Sequence, residues 1–99
     1  MKIREAQIED IETLFNIRIS VIENYQSRED LASLGITPET IAEMLLTDCR
    51  AWIAEIDNQP IGFSMANATE KTIFAMFILP SFADRGAGRA LMQKAEEWL

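Results

Sequence analysis

The sequence predicts a mixed α/β (α+β) domain, an antiparallel meander of strands with flanking helices, in the order β-α-α-β-β-β-α. Three observations predict it. Apolar residues recur at spacings of three and four from about Ile8 to Tyr25, the period of a helix with one buried stripe. From Ala51 the period falls to two, and turn residues separate three strand-like runs. After Pro80, Gly86 and Gly88 open a last helical pattern that runs to Leu99.

Residues 2–6 alternate weakly and read as a short first strand. In the helix that follows, Ile11, Leu14, Phe15, Ile19, Ile22 and Tyr25 form the apolar stripe. Arg18 falls inside that stripe. Either its stem packs while its head reaches water, or it faces a ligand cleft. Residues 26–36 read as a loop containing a helical turn. Thr37, Pro38 and Glu39 then start a second helix: a capping hydroxyl, a residue pre-set for the first turn, and an acid that suits the helix dipole. Ile41, Met44 and Leu45 form its inner face.

Residues 51–56 alternate as a strand, Asp57 to Pro60 is a turn, and 61–67 is the partner strand. Gly62 inside that strand marks a bulge or a close backbone approach. Glu70-Lys71 turns the chain into a third strand, 72–78, and tight connections make the three an antiparallel meander. The final helix presents Ala87, Ala90, Leu91, Ala95 and Trp98 on one side.

A chain of 99 residues argues for one domain, 1–99. With 16 acidic and 9 basic residues the net charge is −7, which disfavours contact with phosphate backbones, so no nucleic-acid partner is expected. No run reaches the roughly 18 apolar residues of a membrane span, and the amino terminus has no signal-peptide pattern. No membrane partner and a cytoplasmic location are therefore expected. There is no histidine and a single cysteine, Cys49. A structural metal site and a histidine-assisted nucleophile are not expected, and Cys49 reads as a packing residue. Glu55 suits a cation on a neighbouring strand, and Glu70 suits a solvated turn.

The segment that carries chemistry runs from Phe77 to Leu91: an apolar strand, a loop, then glycines opening a helix. A helix start leaves about four N–H groups unpaired and bears about half a positive charge. Glycines let an anion approach the backbone, and Arg85 and Arg89 add full charges beside it. A diphosphate suits such a cradle. The P-loop pattern fails, because Gly88 is followed by Arg89-Ala90 rather than Lys-Ser/Thr. The dinucleotide pattern fails as well, because position 91 is Leu where Gly or Ala is needed.

A third pattern fits. The segment resembles the signature of the GNAT superfamily of N-acetyltransferases, Gln/Arg-x-x-Gly-x-Gly/Ala between the fourth strand and the third helix. Residues 76–82 match its apolar, proline and aromatic lead-in, Gly86 and Gly88 its two small positions, and residues 89–92 its helix. The first signature position is Ala83 rather than Gln or Arg, and the next is Asp84, which sets a negative charge beside the phosphates that Arg85 offsets in part. Earlier elements also fall where that family has them, including the Trp-Ile-Ala-Glu strand and the Gly62-Phe63 pair.

The resemblance implies a partial GNAT fold, a domain that stops before its last strands. It implies acetyl coenzyme A (acetyl-CoA) as cosubstrate. The pantetheine arm then pairs with the backbone of Met76, Phe77 and Ile78, and the diphosphate is held by Ala83, Asp84, Arg85, Gly86, Ala87, Gly88 and Arg89. A primary amine attacks the thioester directly, with no covalent enzyme intermediate. No catalytic acid or base is assigned, and the acceptor is unknown. The alternative is a non-catalytic coenzyme-binding or self-associating module. In that alternative the last strand, 72–78, is an exposed apolar sheet edge, so self-association is expected, as a homodimer through this strand or the last helix.

Overall fold

The computed structural model describes residues 1–20, 28–83 and 85–99, with only the backbone of Arg28. The described strands are β1 (Lys2–Glu5), β2 (Cys49–Ile56), β3 (Gln59–Asn67) and β4 (Thr72–Ile78). They form one antiparallel sheet in the order β1-β2-β3-β4. The helices are α1 (Ile11–Ser20), α2 (Arg28–Ser33), α3 (Pro38–Leu46) and α4 (Ala87–Trp98), with 3-10 turns at Ile8–Asp10 and Pro80–Phe82. The mixed class and the meander are as expected. A six-residue helix, α2, stands in the segment read as a loop with a helical turn.

Local chemistry explains most boundaries. The Thr37 hydroxyl accepts a hydrogen bond from the Thr40 amide, and Pro38 opens α3. β2 and β3 are joined by Asp57 and Asn58, both with positive φ (52° and 65°). That is the two-residue hairpin turn whose twist matches the strands, and Ile56 faces Gln59 across it.

Two helical layers cover the two faces of the sheet. On one face Trp52, Ala54, Ile61 and Ala66 pack under α4, whose Ala87, Leu91 and Ala95 are fully buried. The Ser64 hydroxyl donates to the Leu91 carbonyl at 3.3 Å and ties the helix to β3. On the other face Ala51, Ile53, Phe63 and Met65 pack against Leu14 and Ile17 of α1. A third group, Ile11, Phe15 and Leu31, joins α1 to α2 and α3.

Alpha-1 therefore buries two adjacent faces, one on the sheet and one on the other helices. This widens the expected stripe. Ile17 is buried, whereas Ile19, expected inside, is half-buried. Ile22 and Tyr25 lie outside the described residues.

Two bulges break the strict alternation of the strands. Register slips beside Ile61 in β3 and beside Phe74 in β4. The first turns Ile61 toward α4 while Phe63 faces α1. Gly62 stands beside it because a Cβ there would come within 2.9 Å of the Phe77 carbonyl oxygen, so both readings of that glycine, bulge and close approach, are met.

Edge strand β1 is pinned by charge. Arg4 grips Asp10 through two hydrogen bonds of 2.8 and 2.9 Å, and its Nε lies 3.3 Å from Glu55 on β2. Glu55 thus meets the cation expected for it. Arg4 holds the Asp10 carboxyl below the usual range, chiefly through these hydrogen bonds and against the cost of burial.

Candidate functional site

Beta-4 is an edge strand with β3 as its partner in the sheet. An antiparallel edge presents a row of backbone groups to whatever lies alongside. Its side chains divide by face. Met76 and Ile78 pack toward α4, while Ala75 and Phe77 face α1 and α3. The chain then turns through Pro80–Phe82 and enters α4.

Gly86 caps α4 in the left-handed conformation, φ +79°. An L-residue pays about 1–2 kcal/mol to adopt it. A Cβ built on Gly86 would meet nothing within 4 Å, so there is open space beside this glycine. Ala90 donates to the Gly86 carbonyl at 3.2 Å as the first full helical bond. By helix geometry the amides of Gly86, Ala87, Gly88 and Arg89 then have no acceptor inside the helix.

The expected site residues are not equivalent. The amides of Ala83 and Arg85 already donate, to Pro80 and Phe82 respectively, both at 3.3 Å. The Ala87 side chain is buried against the sheet. A Cβ on Gly88 would lie 3.6 Å from Ile78 Cδ1 and 4.0 Å from the Met76 sulfur, so Gly88 faces β4 rather than solvent. Arg85 and Arg89 are exposed, with the Arg85 guanidinium 5.9 Å from the Phe82 ring centre. Asp84 lies outside the described residues.

On the other face of β4, a pocket of about 310 Å³ opens between α1, α3 and the strand. Phe15, Ile41, Met44, Phe74 and Phe77 are among its walls, and Arg18 enters from α1. The Arg18 guanidinium lies over the Phe77 ring, 4.6 Å from its centre. Arg18 therefore faces a cleft, the second of its two sequence readings. The cleft itself is invisible in the sequence, since its walls come from three separated segments. One signal in the sequence pointed to it, the cation Arg18 in an apolar stripe; in the structure Phe74, 46% exposed beside a bulge, borders the same cleft.

The remaining candidates lie elsewhere. Glu70 is exposed in the β3–β4 turn, where its amide donates to the Asn67 side chain. Cys49 is buried, and burial followed by the charge of Asp48 pushes its thiol up. Among the described residues no group of three or more His, Cys, Asp or Glu could hold a metal ion, and no helix is long and apolar enough to cross a membrane.

An antiparallel sheet with helices on both faces, an edge strand and a glycine-capped helix start together make a mixed α/β domain. Residues 8–99 match the Acetyltransferase (GNAT) family, and the chain belongs to that family. It is 28% identical over 110 residues to an uncharacterized N-acetyltransferase of Archaeoglobus fulgidus, spanning 99% of this chain and 73% of that protein. Solved structures share the fold. PaiA N-acetyltransferase from Thermoplasma acidophilum, in complex with coenzyme A, superposes with a TM-score of 0.76 at 22% identity over 98% of this chain and 70% of that one. The acetyltransferase AAC(6')-Iy, bound to a bisubstrate analogue of coenzyme A and acetylneamine, gives 0.72 at 22% identity, covering 98% and 69%. The ribosomal-protein-S18-alanine N-acetyltransferase of Escherichia coli gives 0.72 at 16% identity, covering 94% and 55%.

Proposed function

We propose that this chain binds acetyl-CoA along β4 and at the start of α4, and transfers its acetyl group to a primary amine seated in the pocket beside Arg18. The observation that carries the reading is the helix start. Four amides without an intrahelical acceptor follow a sheet edge, with open space at Gly86 and with Arg85 and Arg89 exposed nearby. The pantetheine arm pairs with β4 around Met76, Phe77 and Ile78 as an added strand. The diphosphate takes the amides of Gly86, Ala87, Gly88 and Arg89, and Ala83 and Arg85 frame the approach.

The chemistry follows from position. The neutral amine nitrogen attacks the thioester carbonyl carbon on the side of β4 that bears Phe77. The carbon–sulfur bond breaks, coenzyme A leaves as the thiolate, and the proton lost by the amine restores the thiol. A free β4 amide beside the carbonyl oxygen stabilises the charge that develops there. Coenzyme A and amine ligands in the structural relatives support this order of parts.

The test joins calorimetry with acetyl-CoA to a free-thiol assay with an amine panel. Binding with amine-dependent thiol release supports transfer. Binding without release supports the non-catalytic module, and no binding at millimolar ligand removes the coenzyme. For the non-catalytic module we propose that β4 pairs with a second copy of the chain in place of the coenzyme, supported by its edge position among the described strands and the exposed Phe74. Light scattering at micromolar concentration giving a clean monomer contradicts that part. A cytoplasmic location, where acetyl-CoA is made, completes the reading.

A further inference from the structure

The pocket beside Arg18 has a chemical character that its position alone does not give. The chain carries 16 acidic residues, yet no carboxylate appears among the described residues that line this pocket, and Arg18 supplies their sole charge. The one lining hydroxyl, Thr40, is engaged at the cap of α3, accepting from the Thr37 amide and donating to backbone carbonyls. The remaining side chains that line it are apolar. An amine with several positive charges would lose hydration against these apolar walls and face a guanidinium of its own sign.

An acceptor with an apolar body and one anionic group meets the opposite situation. Its body displaces water from Phe15, Ile41 and Met44. Its anion meets Arg18, whose planar fork carries five N–H donors, enough to hold a carboxylate beside a protein neighbour. The volume, about 310 Å³, lies at the small end of the range for small-molecule sites. Because Arg18 lies over Phe77, a carboxylate on it sets any α-amine two bonds away, against β4, where the thioester runs.

We propose that the acceptor is an apolar α-amino acid, with its carboxylate on Arg18 and its side chain between α1 and α3. This rests on the acetyltransferase reading and narrows its substrate class. It also reverses the simple electrostatic expectation that an acidic chain selects cationic amines.

Methionine methyl resonances can read the two sites separately. Met44 and Met65 line the pocket, Met76 lies beneath the start of α4, and Met92 is exposed on α4. With methyl-labelled protein, the probes are N-acetyl-L-leucine, its uncharged amide and spermidine, followed by acetyl-CoA. The acid is expected to shift Met44 and Met65 and leave Met92 in place, and to bind at least tenfold tighter than the amide. The variant Arg18→Gln is expected to remove that preference, with circular dichroism reporting whether it folds. The ligand pair on the unaltered protein decides the matter even if it does not. Equal binding of acid and amide, tighter binding of spermidine, or no shift at Met44 and Met65 overturns the proposal. Failure of acetyl-CoA to move Met76, with the pocket shifts intact, sinks the coenzyme reading and with it the role of acceptor, and leaves only the pocket's preference for the acid.

Discussion

Gly86→Ala and Gly88→Ala add the same methyl two residues apart, and the structure predicts opposite results. At Gly86 the backbone is left-handed, φ +79°. Alanine pays about 1–2 kcal/mol there, offset by about 0.4–1 kcal/mol because it stiffens the unfolded chain. The net loss is about 0.5–1 kcal/mol. Gly88 lies within α4, and its new Cβ meets Ile78 Cδ1 at 3.6 Å, an ordinary contact. Alanine gains about 0.5–1 kcal/mol of helix preference there. A kcal/mol moves the melting temperature of a chain this size by roughly 4–8 °C, so the two variants, about 1–2 kcal/mol apart, should separate by roughly 4–16 °C about the parent. Thermal denaturation followed by circular dichroism measures it. Coenzyme binding should divide the other way round from a packing role: Gly86→Ala places its methyl in the open space beside that position and weakens binding, while Gly88→Ala points at β4 and changes it little. Equal shifts in melting temperature, or a larger binding loss at Gly88, would refute the assigned geometry.

Three further outcomes follow from the fold. Gly62→Ala should cost about 1–3 kcal/mol in urea unfolding, because its Cβ would press on the Phe77 carbonyl at 2.9 Å and part β3 from β4; an unchanged midpoint would contradict that contact. Asp10→Asn should cost about 1 kcal/mol at pH 7. Asp10 is depressed when folded, so its contribution is complete above the ordinary carboxylate pKa of about 4 and disappears as pH falls through the lower folded value. Unfolding of parent and variant at pH 7 and pH 3 should show the gap closing. Cys49 is 5% exposed and its thiol is raised by burial, so iodoacetamide should label it only as fast as the chain opens; rapid labelling of the native protein would place the thiol at the surface.

What the sequence made legible follows from range. Thr37-Pro38 and Asp57 to Pro60 carry their own instructions, a cap and a turn; the structure obeys the first and confines the second to Asp57 and Asn58, with Gln59 and Pro60 already in β3. The alternation of 51–56 and the glycine-opened last helix are equally local. The stripe of α1 was legible only in part, because its width depends on α2 and α3 as well as the sheet. Ile17 is buried for that reason. The segment around α2 has too few residues to show a period, and among its described residues Leu31 is the buried anchor with Ile36 packed against the same cluster. In the site, the helix start could be read from Gly86 to Arg89, but a string of letters does not say which amides are free. Those of Ala83 and Arg85 are taken by local turns, and Gly88 serves packing. The pocket is assembled by the third dimension, from α1, α3 and a bulge in β4 that no spacing rule marks.

The diphosphate cradle is tested most directly by following backbone amide resonances of ¹⁵N-labelled protein during titration with acetyl-CoA. The amides of Gly86 to Arg89 should move furthest, together with those of β4, and desulfo-coenzyme A should reproduce the shifts at the helix start. Silence at those four amides while the ligand binds elsewhere, or no movement at millimolar ligand, would contradict it.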